Sequence, residues 1–178
     1  PFFLYFAFDT KIFGRVNTTE YGRRLQEDID NLIKWSEEWQ MLFNTSKCKV
    51  MHFGRRNQQT RYSMNGMELN VVQHEKDLGI DLSSDLKVSR QCTQSYSKAN
   101  RMLGLINRSI FNKSSKVMLQ LYKTLVRPHV EYCTAAWMPH YIKDRELIEK
   151  IQYRFTIMVV GMKGLSYEER NEKLGLWS

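Results

Sequence analysis

Between Lys87 and Arg127 the sequence has no acidic residue. It is also poor in the residues that staple or break small folds, with three cysteines and three prolines in 178 residues. Cys48, Cys92 and Cys133 are far apart, which excludes a zinc ribbon and a disulfide framework and makes a reducing compartment the default setting. His129 and Cys133 are spaced i, i+4 with His140 nearby, but these donors fall short of the four ligands a structural zinc site takes. They read as unrelated side chains on a packed helix. The apolar run from Phe2 to Phe8 is far below the roughly 20 residues a membrane span needs and has no basic flank before it. Neither a signal peptide nor a transmembrane helix is expected. Internal repeats and low-complexity linkers are lacking too. The chain starts at Pro1 in strand-like composition and stops at Ser178 just after a helical pattern, so both ends read as cut and a piece of a longer protein is expected.

What is present is a hydrophobic fraction of 42%, enough for a real core, in a length that suits one domain or two small ones. The net charge of +8 is unevenly placed. Residues 1–82 carry 11 basic and 11 acidic side chains, whereas residues 83–178 carry 16 and 8. The acid-free stretch holds Lys87, Arg90, Lys98, Arg101, Arg108, Lys113, Lys116, Lys123 and Arg127. Solubility alone would mix the signs. One sign with aromatics interleaved points to a phosphate backbone as partner.

The periodicity predicts an apolar hairpin at the N-terminus with Asp9 at its bend, then a helix from Tyr21 to Phe43 with Leu25, Ile29, Leu32, Ser36, Trp39 and Phe43 on one stripe. Trp35 and Trp39 read as core residues because they sit with that stripe. Lys47 to Gly54 alternates as a strand. Asn65-Gly66 is a strong two-residue hairpin signal, and Leu78, Ile80 and Leu82 alternate in a further strand. After Ser83 the period changes to 3.6. Tyr96, Ala99, Met102, Leu103, Ile106 and Ile110 form one helix face. A second helix runs from Ser114 or Ser115 to Arg127 with Val117, Leu121 and Leu125 inside, and Pro128 can open another. Asp144 is placed to cap a helix bearing Leu147, Ile148, Ile151, Phe155, Met158 and Val159, with Gly161 as its stop. Ser166 and Glu169 form a capping box for a last short helix. The fold class is therefore α+β: a small antiparallel sheet with a long helix in residues 1–82, followed by a mostly helical region in 83–178.

The hairpin Leu4-Tyr5-Phe6-Ala7-Phe8-Asp9-Thr10-Lys11-Ile12-Phe13 resembles the Phe-Ala-Asp-Asp-Thr-Lys signature of reverse transcriptases from LINE-type (non-LTR) retrotransposons. Further pieces in order resemble jockey-like elements: Leu25 to Asp30 through Trp35 and Trp39, Phe43 to Gly54, Leu121 to Pro128, Glu131-Tyr132-Cys133, Trp137-Met138-Pro139, Glu149 to Phe155 and Leu165 to Arg170. Glu75-Lys76-Asp77-Leu78-Gly79-Ile80 resembles the primer-grip hairpin.

The resemblance implies the C-terminal palm in residues 1–82 and a helical thumb with its C-terminal continuation in 83–178, both from an RNA-directed DNA polymerase. It implies Asp9 as metal ligand and catalytic acid, Lys47 as a catalytic lysine near the leaving pyrophosphate, and Leu78 and Gly79 beneath the primer backbone, where a glycine allows close approach. Two-metal phosphoryl transfer explains these residue types, since adjacent acids supply the oxygen ligands magnesium prefers. Phe8 stands where the first acid of the pair belongs. The other acid strand and the fingers are expected before Pro1. The intact enzymes would use Mg2+, which this chain is not expected to hold stably, so the chain alone is expected not to polymerise. The implied partners are an RNA template and an RNA/DNA or DNA duplex, with no membrane and no small-molecule cofactor, in an intracellular setting, nuclear or cytoplasmic. The alternatives are a non-catalytic, sequence-independent nucleic-acid-binding module, and a protein-interaction or vestigial helical domain that the acid-free segment disfavours.

Overall fold

The computed structural model describes residues 2–6, 9–55 and 57–177. It is an α+β chain of eight short strands and seven α-helices among the described residues, the strands concentrated before residue 84 and the helices after it. Two compact units emerge, one of residues 1–75 and 83–86, the other of 76–82 and 87–178.

In the first unit, β1 (Phe2–Phe6) pairs antiparallel with β2 (Asp9–Phe13). Helix α1 (Thr19–Glu38) begins at Thr18, whose side chain accepts from the Tyr21 amide. One stripe of α1, centred on Ile29 with Leu25 and Ile33 beside it, packs on Tyr62, Met64 and Leu69. Gln26 fastens the helix to the sheet through the Ser63 backbone, donating from Nε2 to the carbonyl and accepting the amide at Oε1, both at 2.9 Å. The helix stops five residues before the end of its amphipathic pattern. Gln40 turns left-handed at φ +54° while its amide and that of Met41 bond back to Glu37 and Ser36, which satisfies the last carbonyls in the manner of a helix-ending motif. Trp39 is thereby left past the last turn and 63% exposed, and Trp35 lies one step off the buried stripe and is also exposed. The expectation that this pair is core is corrected.

The strand expected over 47–54 shrinks to β3 (Lys49–Val50), preceded by a 3-10 turn at Thr45–Lys47. β3 pairs parallel with β6 (Asn70–Val71), so this part of the fold is not wholly antiparallel. β4 (Ser63–Met64) and β5 (Met67–Glu68) flank Asn65 and Gly66, both with positive φ. That is the type I′ geometry that the Asn-Gly pair favours.

β7 (His74–Asp77) and β8 (Ile80–Ser83) form a further hairpin with a two-residue tip. In the second unit, α2 (Ser89–Ser109) packs along α6 (Ile142–Met158). Ala99, Leu103 and Ile106 of α2 meet Ile151 and Phe155 of α6 in the main core. The next helical stretch is α3 (Ser115–Leu121), a π-helical turn at Tyr122–Val126, and α4 (Arg127–Glu131). Its buried row is Met118, Tyr122 and Val126, whereas Val117 and Leu125 are exposed. The expected face is thus rotated by one residue. Both rows are apolar, and the one with the larger side chains is inside, where Tyr122 stacks on Phe155 with ring centroids 4.1 Å apart.

A smaller cluster of Ile80, Cys92 and Trp137 lies beneath α5 (Thr134–Trp137), with Leu147 and Ile148 packed against it. Helix α6 starts at Ile142, so Asp144 is not its cap. It lies buried in the first turn and accepts from the Ser89 hydroxyl at 2.6 Å. The last helix, α7 (Tyr167–Leu174), carries the expected capping box between Ser166 and Glu169.

Candidate nucleic-acid interface

In the first unit Asp9 opens β2, in register with Phe6. Phe8, beside it in sequence, lies outside the described residues. Lys47 ends the 3-10 turn that the Asn44 carbonyl closes at 3.0 Å. It is exposed and has no ion-pair partner among the described residues. Two residues on, Lys49 is paired with Glu75 at 2.6 Å. Cys48 between them is half-buried, and that burial pushes its thiol pKa up. The two lysines are thus chemically distinct: one is committed to a carboxylate, the other is open to an anion.

In the second unit the hairpin tip is Leu78-Gly79, with φ +45° and +87°. Its β8 side is held to α2 by a polar network around Asp81, which is 9% exposed. The Asp81 amide donates to Gln91 Oε1 at 2.9 Å, Gln94 Nε2 donates to Asp81 Oδ2 at 2.8 Å, and Arg90 Nε lies 2.9 Å from Asp81 Oδ1. A Cβ at Gly79 would stand 3.2 Å from Cε1 of Tyr132. The close approach at this glycine is therefore made, at least on its Cβ side, by a side chain of the same unit.

The basic residues of 87–127 divide by partner. Arg90 is committed to Asp81, and Arg127 to Glu131 one turn later. Lys113 donates to Asn107 Oδ1 at 2.6 Å, a neutral partner. Lys87 is exposed beside the start of α2. Lys98, Arg101, Arg108, Lys116 and Lys123 form no ion pair among the described residues, and all but the half-buried Lys98 are exposed. Helix geometry sets Arg90, Arg101 and Arg108 on a ridge opposite the buried row of α2, because 11 and 7 residues are near-integral numbers of turns. At a rise of about 1.5 Å per residue, the three span roughly 27 Å. Lys116, Lys123 and Arg127 line one flank of the α3–α4 stretch. Within these rows Arg101, Arg108, Lys116 and Lys123 have no internal counterion among the described residues, and cations so placed can follow a phosphate backbone without reading bases.

The chain is similar to an RNA-directed DNA polymerase. Over 114 residues it is 33% identical to the RNA-directed DNA polymerase from mobile element jockey of Drosophila melanogaster, a match covering 61% of this chain and 12% of that protein. The chain thus spans a small part of the curated relative's length. No protein-family model matches it, and no solved structure matches it.

Among the described residues no three His, Cys, Asp or Glu side chains come together as a metal site, and no helix is long and apolar enough to cross a membrane. His129 lies in α4, whereas Cys133 is outside it in a left-handed conformation, so the two do not share one helical face. Sequence reasoning missed two local arrangements. Tyr132 at the hairpin tip had no signal beyond its place in the Glu131-Tyr132-Cys133 run. Arg170, buried, lies 5.0 Å from the Tyr153 ring and 5.8 Å from that of Tyr167. Tyr167 also donates to Glu149, and its burial, aided by that carboxylate, pushes its pKa up to about 12.

Proposed function

We propose that this chain is the palm-to-thumb part of an RNA-directed DNA polymerase of the LINE-type class, and that its helical unit grips the backbone of an RNA/DNA or DNA duplex. The observation that carries the reading is the set of five cations on α2 and α3–α4 with no internal counterion, within a chain similar to a polymerase of that chemistry. Lys98, Arg101 and Arg108 on α2, and Lys116 and Lys123 on the next stretch, are the contacts to phosphate. Lys87, Lys113 and Arg127 add to the field, and Arg90 contributes less because Asp81 neutralises it. Lys47, free of the pairing that holds Lys49, is the lysine available to a triphosphate or pyrophosphate.

The test is duplex binding as a function of salt. Each neutralised phosphate contributes a slope of about −0.9 in log affinity against log salt for B-DNA. Replacing Lys98, Arg101, Lys116 and Lys123 together by Gln should flatten the slope by up to about 3.6 on that rule and leave the melting temperature nearly unchanged. An unaltered slope would reduce the basic face to a solubility device.

The second reading, a binding module without catalysis, is favoured by the donor set of the N-terminal hairpin. Asp9 is its one acid, and Phe8 offers no oxygen to an ion. Magnesium takes near-octahedral oxygen ligation and dehydrates reluctantly, so this donor set does not fit a two-ion site. The chain alone should not extend a primer on an RNA template with magnesium, and Phe8→Asp alone should not rescue it. Extension should require that change together with a segment supplying the remaining acid and the fingers. Polymerisation by the unaltered chain, lost in Asp9→Asn, would show that the site is complete.

A further inference from the structure

We infer that Tyr132 is a positioning residue that fixes the Leu78-Gly79 tip in the conformation it presents to a nucleic-acid strand; this rests on the duplex-gripping reading proposed for the helical unit. Leu78 sits at φ +45°, where a bulky L-residue is a genuine outlier. Such a conformation persists only when its surroundings over-determine it. Tyr132 supplies two restraints. Its hydroxyl donates to the Leu78 carbonyl at 3.0 Å, and its ring covers the side of Gly79 where a Cβ would be.

The tyrosine is itself held from behind. Its amide donates to the Pro128 carbonyl at 3.0 Å, and its carbonyl accepts from Trp137 Nε1 at 2.7 Å. Trp137 is buried in one cluster with Ile80, the next residue after the tip. The restraint thus closes a circuit: tip, Tyr132, Trp137, Ile80, tip. Yet Tyr132 is 56% exposed, so it contributes little to the core. Its contacts serve the tip, leaving the half-exposed Leu78 side chain and the tip backbone to meet a ligand.

The experiment uses the whole chain and four proteins: wild type, Tyr132→Phe, Leu78→Gly and the double variant. Amide exchange is followed at residues 78–80 and, as a control, at 151–159. Affinity is measured for an RNA/DNA hybrid at low salt. Tyr132→Phe keeps the ring and deletes one neutral hydrogen bond, so exchange at the tip should rise roughly two- to tenfold, with the control unchanged and hybrid affinity lower by a similar factor. Glycine adopts the left-handed turn without support, so in the Leu78→Gly background the same change should alter affinity less than about twofold. A merely structural tyrosine would show no such rescue.

Unchanged exchange at 78–80 in Tyr132→Phe overturns the inference, and so does an equal affinity loss in both backgrounds. Faster exchange at the tip with undiminished affinity also overturns it, by showing that the tip does not meet the duplex. A wild-type chain that binds no hybrid sinks the duplex-gripping reading, and the positioning role with it.

Discussion

Gln40, Leu78 and Cys133 all have positive φ, and each ends or bends an element where hydrophobic pattern alone would carry on. None belongs to a residue type that favours that conformation, which is why the end of α1, the shape of the tip and the α4–α5 bend were not legible. Asn65-Gly66, by contrast, is a pair whose residue types suit its turn, and the hairpin was readable from two letters. Buried polar groups were equally silent, since Asp81 and Asp144 look like surface acids until their partners Gln91, Gln94 and Ser89 are placed. Cys92 shows what burial does to one titratable group. Enclosure, with the Asp144 charge as a smaller cause, pushes its thiol up to about 11 from 9.0. The folded state binds that proton more tightly than the unfolded state, so the stabilisation is complete below about pH 9 and is lost as pH rises through about 11. Denaturant midpoints of wild type and Cys92→Ala over pH 8–11 should converge as pH rises, the Cys92 contribution shrinking by roughly 2–3 kcal/mol. The raised Tyr167 and Tyr122 hydroxyls act in the same direction at higher pH. Parallel curves would show that the thiol titrates as freely as in an unfolded chain.

At the scale of elements, amphipathic period found the long helices and the buried faces of α2 and α6. It failed on α3–α4, where two neighbouring rows are both apolar and period cannot choose between them. The π-helical turn there also has no periodic signal, but it has a local cause. Pro128 lacks an amide and its ring would crowd the carbonyl four residues back. The Arg127 amide bonds instead to Tyr122, five residues back, so the ladder slips by one just before the proline. Helix α7 is the opposite case, with every end signal explicit. Ser166 accepts the Glu169 amide at 3.2 Å, Glu169 Oε2 accepts the Ser166 amide at 2.7 Å, and Gly175 closes the other end at φ +61°. Ser166→Ala should destabilise the second unit by about 1 kcal/mol, read as a shift of denaturant midpoint without change of slope. A neutral result would mean that Glu169 and the packing of Leu174 hold the helix without the serine.

At the scale of the whole molecule, the α+β character and the polarity of charge along the chain were both legible, because each is a sum over many residues. The grouping of residues 76–82 with the helices was not, because it depends on Ile80 joining Cys92 and Trp137 and on Asp81 joining Gln91 and Gln94. A segment of residues 76–178 should therefore melt higher than one of 87–178. Burying Ile80 alone contributes about 1.5–3 kcal/mol, and at roughly 4–8 °C per kcal/mol for a unit of this size the difference should be about 10 °C in calorimetry. Equal melting temperatures would show that the hairpin is an appendage. The same grouping governs how the chain can be divided. It passes from one unit to the other after residues 75, 82 and 86, so no single break yields two whole units. A protease that nicks the 83–86 segment leaves the hairpin with one fragment and its packing partners with the other. Any event that transplants the helical unit into another protein must bring along seven residues from upstream, or it inherits a Trp137 that has lost Ile80 from its cluster.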